Sequence, residues 1–197
     1  MTHRLPNIET PRLLLRGLQK GDEDFLIQLD TDPLVMRYIH RGPLSGGQAA
    51  NWARLQVDAD TSPRAWKVVG KWIVELQASG TRIGWVDVSK LSLSGEDFRS
   101  VGYEFAPAFW GRGYAVEAVA AVVCDLFVRL EEPGVVAFSR PDNERSIRLL
   151  RKIGFRRLGK QVKDDGSRSC DVFKISRRAW KTREARTAQF PPRGPDS

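Results

Sequence analysis

Cysteine and histidine are scarce in this 197-residue chain, at two each. Cys124 and Cys170 are too few for a disulfide framework. His3 and His40 are isolated, so no Cys/His constellation with metal-ligand spacing exists and no metal is expected. Cys124 lies inside an apolar helical run and reads as a buried thiol. Long apolar runs are also missing, which predicts no membrane association. The N-terminal MTHRLPNIETPR lacks the apolar centre of a signal peptide, and a cytoplasmic location is expected. Two nucleotide motifs are missing as well. No glycine pair is followed by Lys-Ser or Lys-Thr at P-loop spacing, and Gly111-Arg112-Gly113 lacks the third glycine of a dinucleotide fingerprint. Acidic residues are in the minority, 24 against 32 lysines and arginines, for a net charge of +8. The excess gathers at Arg145, Arg148, Arg151, Lys152, Arg156, Arg157 and Lys160, and again at Arg177, Arg178, Lys181, Arg183 and Arg186. No zinc knuckle, helix-turn-helix or aromatic-rich RNA-binding motif accompanies that charge. It reads either as a solvated face or as a surface that draws the chain to RNA or the ribosome.

What is present centres on residues 101–155. Val101 to Phe105 reads as a strand, which Pro107 ends because it has no N–H to donate. The tight loop Trp110-Gly111-Arg112-Gly113 then opens into an apolar helix from Tyr114 to about Leu130. A strand, a glycine loop and a helix N-terminus together make an anion-binding device, suited to a phosphate or pyrophosphate. Pro133-Gly134 turns the chain into a short strand, Val135 to Ser139. Pro141-Asp142-Asn143-Glu144 then signals a helix start, and the helix ends at Gly154-Phe155.

On these residues the chain resembles the GNAT superfamily of acyl-CoA-dependent N-acyltransferases. Trp110-Gly111-Arg112-Gly113-Tyr114-Ala115 matches the family's [RQ]-x-x-G-x-[GA] loop except at its first position. Asn143, Ser146, Leu149, Lys152, Gly154 and Phe155 fit N-x-x-[AS]-x-x-L-x-x-K-x-G-F. This combination is similar to the branch that includes ribosomal-protein N-terminal serine/alanine acetyltransferases. The resemblance covers about Ile8 to Trp180 and implies an α/β (α+β) fold over residues 8–180. That fold is a mixed, mostly antiparallel central sheet of six to seven strands, flanked by helices and splayed between strands four and five. Residues 181–197 read as a basic, disordered tail.

In chain order, Glu9 to Arg16 reads as a first strand, and Thr10, Arg12, Leu13 and Arg16 match a run common in the family. Asp22, Glu23 and Asp24 complement a helix N-terminus. Phe25, Leu26 and Leu29 form its apolar stripe, which Asp32-Pro33 breaks. Gly42-Pro43 and Ser45-Gly46-Gly47 read as turns, and Gln48 to Ala59 as a helix packing through Ala49, Trp52, Ala53 and Leu55. Trp66 to Leu76 and Arg82 to Val88 make a hairpin, with Trp66 and Trp72 on one core-facing side. Ser89 to Ser100 reads as a polar loop bordering the acceptor pocket. Asp164 to Ser167 turns between two last strands, and Ser176 to Trp180 begins a closing helix.

The resemblance implies acetyl-CoA as co-substrate and a primary amine as acceptor. The pyrophosphate is expected on backbone N–H groups of Gly111, Arg112, Gly113, Tyr114 and Ala115, with Arg112 adding charge and Trp110 replacing the usual Arg or Gln. The pantetheine arm is expected along Phe105 and Ala106, which also supply N–H donors to the developing oxyanion, with Asn143 across from them. Glu104 is the expected catalytic carboxylate, either general base or anchor for a cationic acceptor; otherwise it is a solvent-facing strand residue. The family's general-acid Tyr is replaced by Leu150. Ser146 is the expected substitute, bonding pantetheine or the departing sulfur, with Tyr114 and Tyr103 as further donors. A protein or peptide N-terminal α-amine is the expected acceptor. An aminoglycoside or polyamine is the alternative, for which Asp22, Glu23, Asp24, Asp30 and Asp32 offer an acidic pocket. A non-catalytic acyl-CoA-binding or RNA/ribosome-associated module is the third reading. A homodimer is compatible with all three.

Overall fold

The computed structural model describes residues 5–39, 42–61, 68–93, 96–161 and 169–189. His3, His40, Trp66, Gly95 and the turn expected at Asp164 to Ser167 lie outside them. Eight strands form one sheet in the order β1-β2-β3-β4-β5-β6-β8-β7. These are β1 (Ile8–Glu9), β2 (Leu13–Gly17), β3 (Val68–Leu76), β4 (Arg82–Leu93), β5 (Glu96–Phe105), β6 (Gly134–Ser139), β7 (Arg156–Gln161) and β8 (Cys170–Ser176). One strand more than expected arises because Ile8 and Glu9 pair separately with Leu15 and Leu14, with a turn at Pro11-Arg12 between. All neighbours run antiparallel except β5 and β6. Helices α1 (Glu23–Thr31), α2 (Pro33–Met36) and α3 (Gly46–Thr61) lie between β2 and β3. Helix α4 (Tyr114–Val128) links β5 to β6, α5 (Glu144–Ile153) links β6 to β7, and α6 (Arg177–Gln189) follows β8.

Two apolar clusters cover the two faces of the sheet. On one, Val119, Val122, Val123 and Leu126 of α4 pack with Leu13, Leu15, Trp72, Val86, Val101 and Phe173, all buried. At roughly 1.5–3 kcal/mol per buried side chain, this is the larger source of stability. On the other, Phe25, Leu26 and Leu29 of α1 and Ala53 and Val57 of α3 cover Ile73 and Ala106. The closing helix docks through Trp180, whose ring centroid lies 6.0 Å from that of Phe127.

Several boundaries differ from the sequence reading for local reasons. Residues 89–93 continue β4 and residues 96–100 begin β5, paired from Ser89↔Ser100 to Leu93↔Glu96. Ser45 is a helix cap: its N–H donates to Gln48 Oε1 at 3.1 Å, which starts α3 at Gly46. Ala49 and Ala53 pack as expected, while Leu55 is exposed and Val57 is buried in its stead. Cys124 is half-buried. Helix α6 continues to Gln189, so residues 181–189 are helical where a tail was expected.

Candidate active site

The site forms where the sheet splits. β5 and β6 pair in parallel only at Arg99↔Val135 and Ser100↔Val136. Beyond that, β6 stays with β8 through Ser139, while β5 stays with β4 through Phe105. Ala106 N–H donates to Ile83 C=O at 2.9 Å. Backbone groups alternate sides along a ladder, so Gly102, Glu104 and Ala106 turn theirs toward β4. Val101, Tyr103 and Phe105 turn theirs toward the splay. Of the two expected oxyanion donors, Ala106 N–H is therefore occupied within the sheet, and Phe105 N–H faces the gap. Phe105 C=O accepts Trp110 Nε1–H at 2.7 Å. Trp110 thus closes the loop onto the end of β5, and the Arg145 guanidinium lies 4.6 Å over its ring.

Beyond a single 3₁₀ turn, Pro107–Phe109, the loop reaches α4. Gly111 and Gly113 adopt φ of 76° and 79°, the left-handed region that disfavours side chains, and Gly113 caps α4. The first-turn N–H groups of α4 face outward from that cap. Glu117 in the same turn is unfavourable for an anion. Arg12 answers it: Arg12 Nε donates to Glu117 Oε2 at 2.6 Å, and Arg12 Nη1 to Arg112 C=O at 3.1 Å. Its guanidinium also lies 4.6 Å from the Tyr114 ring centroid. Burial would raise the Glu117 carboxyl, but hydrogen bonds from Thr10 and Arg12 hold it below the usual range. Thr10 and Arg12, read from the sequence as part of a strand, form a brace for the loop. Arg12→Ala should raise KM for acetyl-CoA about fivefold with kcat unchanged, as steady-state kinetics would register. Equal losses in both parameters would contradict the brace.

Opposite the loop, Asn143 Oδ1 accepts Ser146 N–H at 3.1 Å and caps α5. Its carboxamide oxygen is committed, so the amide nitrogen is what Asn143 would offer a ligand. Gly154, at φ 113°, ends the helix, and Phe155 N–H donates to Leu150 C=O at 2.9 Å. Leu150 is fully buried in the core. Ser146 Oγ lies 2.9 Å from Tyr103 Oη, a pair 43 residues apart in sequence. Burial pushes the Tyr103 phenol up to about 12, against the smaller opposing effect of Ser146.

Glu104 is 6% exposed, which removes the reading as a solvent-facing residue. It sits opposite Trp85 on the sheet face covered by α1 and α3. Two further polar groups on that face escaped the sequence reading. Asp87 pairs in register with Lys71 on one side and Gly102 on the other, diagonal to Glu104. Burial raises the Asp87 carboxyl, with Lys71 and the Gly102 N–H opposing. A Cβ at Gly102 would meet Asp87 Oδ1 at 2.5 Å, so glycine makes room for this carboxylate. Lys71 Nζ lies 3.7 Å from the Trp85 ring centroid and donates to Gln56 Oε1 of α3. Period-two alternation in β4 was the available signal for Asp87, but it does not give cross-strand register.

The acids proposed for a polycation pocket are largely engaged structurally. Asp22 accepts from Arg16 at 2.8 Å through both oxygens and from Gln19 N–H at 3.0 Å. Asp32 caps α2 by accepting from Leu34 N–H at 2.7 Å. Glu23 Oε2 accepts Gly21 N–H at 2.6 Å. Among the described residues no group of three or more His, Cys, Asp or Glu could hold a metal ion, and no helix is long and apolar enough to cross a membrane.

A splayed sheet, a glycine loop capping a helix and a buried carboxylate at the end of the open strand suit a pyrophosphate, an amide-bearing arm and an acyl-transfer centre. The family model for the acetyltransferase (GNAT) domain matches residues 12–156. The chain is 26% identical over 176 residues to N-acetyltransferase p20 of Bacillus licheniformis, covering 87% of this chain and 96% of that one. In fold it is similar to the ribosomal-protein-S5-alanine acetyltransferase of Vibrio fischeri, with TM-score 0.72, 16% identity and coverage of 89% and 99%. It is also similar to the spermidine N-acetyltransferase of Vibrio cholerae solved with CoA and spermine, with TM-score 0.70, 19% identity and coverage of 87% and 99%. The chain belongs to the GNAT acetyltransferase family and is an acetyl-CoA-dependent acyltransferase.

Proposed function

We propose that this protein moves an acetyl group from acetyl-CoA to a protein or peptide N-terminal α-amine, by direct attack in a ternary complex. The reading rests chiefly on Glu104, a buried carboxylate at the end of a strand edge that faces the splay. Phosphates fit the N–H groups of Gly111 to Ala115, and a pantetheine amide fits the N–H and C=O of Tyr103, which face the gap. Glu104 takes the proton that an ammonium must lose before its nitrogen can attack. Phe105 N–H is the donor for the developing oxyanion. An α-amine is favoured over a polyamine because Asp22, Glu23 and Asp32 have structural partners, while Lys71 adds positive charge on the acceptor face.

Release of CoA thiol, followed with peptides bearing free N-termini, an aminoglycoside and spermidine, tests the acceptor. Peptide turnover with little from the other amines supports the reading. Turnover of spermidine or the aminoglycoside alone would overturn it in favour of a small-amine enzyme. Acetyl-CoA binding without turnover of any amine would favour a non-catalytic module. Glu104→Gln should lower kcat/KM for the acceptor by roughly 10²- to 10⁴-fold and leave acetyl-CoA affinity unchanged. A wild-type rate in that variant would remove Glu104 from the chemistry.

A further inference from the structure

We propose that Tyr103 is a positioning residue for thiolate departure: its phenol donates to Ser146 Oγ and thereby aims the serine hydroxyl hydrogen at the sulfur. This inference rests on the acetyl-transfer reading and concerns a residue that the family motifs do not contain.

The pair spans the splay. Tyr103 belongs to β5, whose N–H and C=O groups at this residue face the gap. Ser146 lies in the first turn of α5, the helix that follows β6. The 2.9 Å contact between Tyr103 Oη and Ser146 Oγ therefore ties together the two arms between which the pantetheine would run. Asn143 Oδ1 fixes the other side of Ser146 by accepting its N–H at 3.1 Å.

A serine hydroxyl has one hydrogen and two lone pairs. A serine in the first turn of a helix commonly spends that hydrogen on a nearby backbone carbonyl. Here Oγ is held by a phenol instead. If Tyr103 donates, the serine hydrogen is available to another acceptor; if Ser146 donated, it would be spent on the phenol. Burial keeps Tyr103 protonated through the neutral range, so it supplies a hydrogen bond and no proton.

In the balanced step, Glu104 first passes the ammonium proton on to solvent. The neutral nitrogen then bonds to the thioester carbon as the C=O pair moves onto oxygen, and the second nitrogen proton passes to Glu104 as the C=O re-forms. The C–S bond breaks in that collapse with its electron pair on sulfur. The thiolate accepts the Ser146 O–H hydrogen bond and is later protonated by water. A thiol of pKa about 8.5 leaves readily with a hydrogen bond alone, which is why Leu150 can stand where a general-acid Tyr is usual.

Tyr103→Phe keeps the ring and removes the donor. It should lower kcat about tenfold, with KM for acetyl-CoA and the calorimetric affinity unchanged and Tm within a few degrees. Ser146→Ala should lose a similar factor, and the double variant should lose no more than the larger single loss, because the phenol has nothing to orient once the hydroxyl is gone. Wild-type kcat in Tyr103→Phe, or a double-variant loss equal to the product of the single losses, would overturn the inference while leaving acetyl transfer intact. A wild type that fails to bind acetyl-CoA would overturn the acetyl-transfer reading and this inference together.

Discussion

Gly113→Val should abolish acetyl-CoA binding at micromolar concentrations, with a loss in affinity of about 100-fold or more. Gly113 is at φ 79°, and any side chain there costs about 1–2 kcal/mol, more for a β-branched one. A Cβ would also touch Arg12 Nη2 at 3.5 Å, the side chain that neutralises Glu117. The loop would relax by rotating Gly113 out of the left-handed region, and its N–H groups would no longer converge on one point. Each charge-assisted hydrogen bond is worth roughly 1.5–3 kcal/mol, so losing two accounts for the predicted factor. Gly80→Val is the control. Gly80 lies in the β3–β4 turn at φ 66° with open space around it, so it carries the same strain without the site. Calorimetric titration should show binding lost in Gly113→Val and kept in Gly80→Val. Equal binding in both would mean that the glycine loop does not hold the pyrophosphate.

The largest effect on stability is expected from Asp22→Ala, at about 3–5 kcal/mol and a fall in Tm on the order of 10 °C. The Asp22 side chain is 2% exposed and meets Arg16 bidentately, while Arg82 reaches the same carboxylate at 3.3 Å and Gly21 C=O at 2.8 Å. Arg16 also bridges to Glu75 at 2.7 Å. One carboxylate therefore fastens the start of α1 to β2 and β4. Removing it takes from the Arg16 guanidinium its bidentate partner, leaving Glu75, and leaves the Gln19 N–H without its acceptor. Burial alone would raise the Asp22 carboxyl, but Arg16, the Gln19 N–H and Arg82 together hold it below the usual range. The sign follows from that direction. The stabilisation is full above the unfolded carboxylate value of about 3.9 and is lost as pH falls through the lower folded value. Thermal unfolding of the two proteins should differ most at neutral pH and converge in strong acid. A difference that persists unchanged in strong acid would assign the loss to something other than this charge.

Features encoded within one turn of chain were legible in the sequence. Gly111 and Gly113 need positive φ, Asn143 caps the helix that Gly154 ends, and Pro107 stops β5, each for reasons local to a few residues. Features set by register were not. Asp87 joins the sheet face of Glu104 only because β4 pairs it with Lys71 and Gly102. Ser146 finds Tyr103 only because the sheet and α5 bring residues 43 apart together. Ser89 to Ser100 looked like a loop because polar residues mask its alternation, although cross-strand pairing continues to Leu93↔Glu96. Of the acids near α1 that suggested a cation pocket by composition, Asp22 also pairs with Arg16 and Asp32 caps α2, contacts that composition does not give.

The two outer strands of the sheet have a consequence for how the protein behaves in a crowded solution. An edge strand is a template on which foreign chains can add. Here one edge is β1, only two residues long. The other is β7, which carries exposed Arg156, Arg157 and Lys160 along its length. Short length discourages addition at the first edge, and mutual repulsion discourages two copies from meeting at the second. The strand that does expose main-chain donors and acceptors lies in the interior of the sheet, in a gap bounded by α4 and α5. Strand β4 flanks it on one side and β6 with β8 on the other, so these groups lie inside the sheet and not at either outer edge. In the proposed reading, the co-substrate pairs with this strand at a place that neither outer edge of the sheet provides.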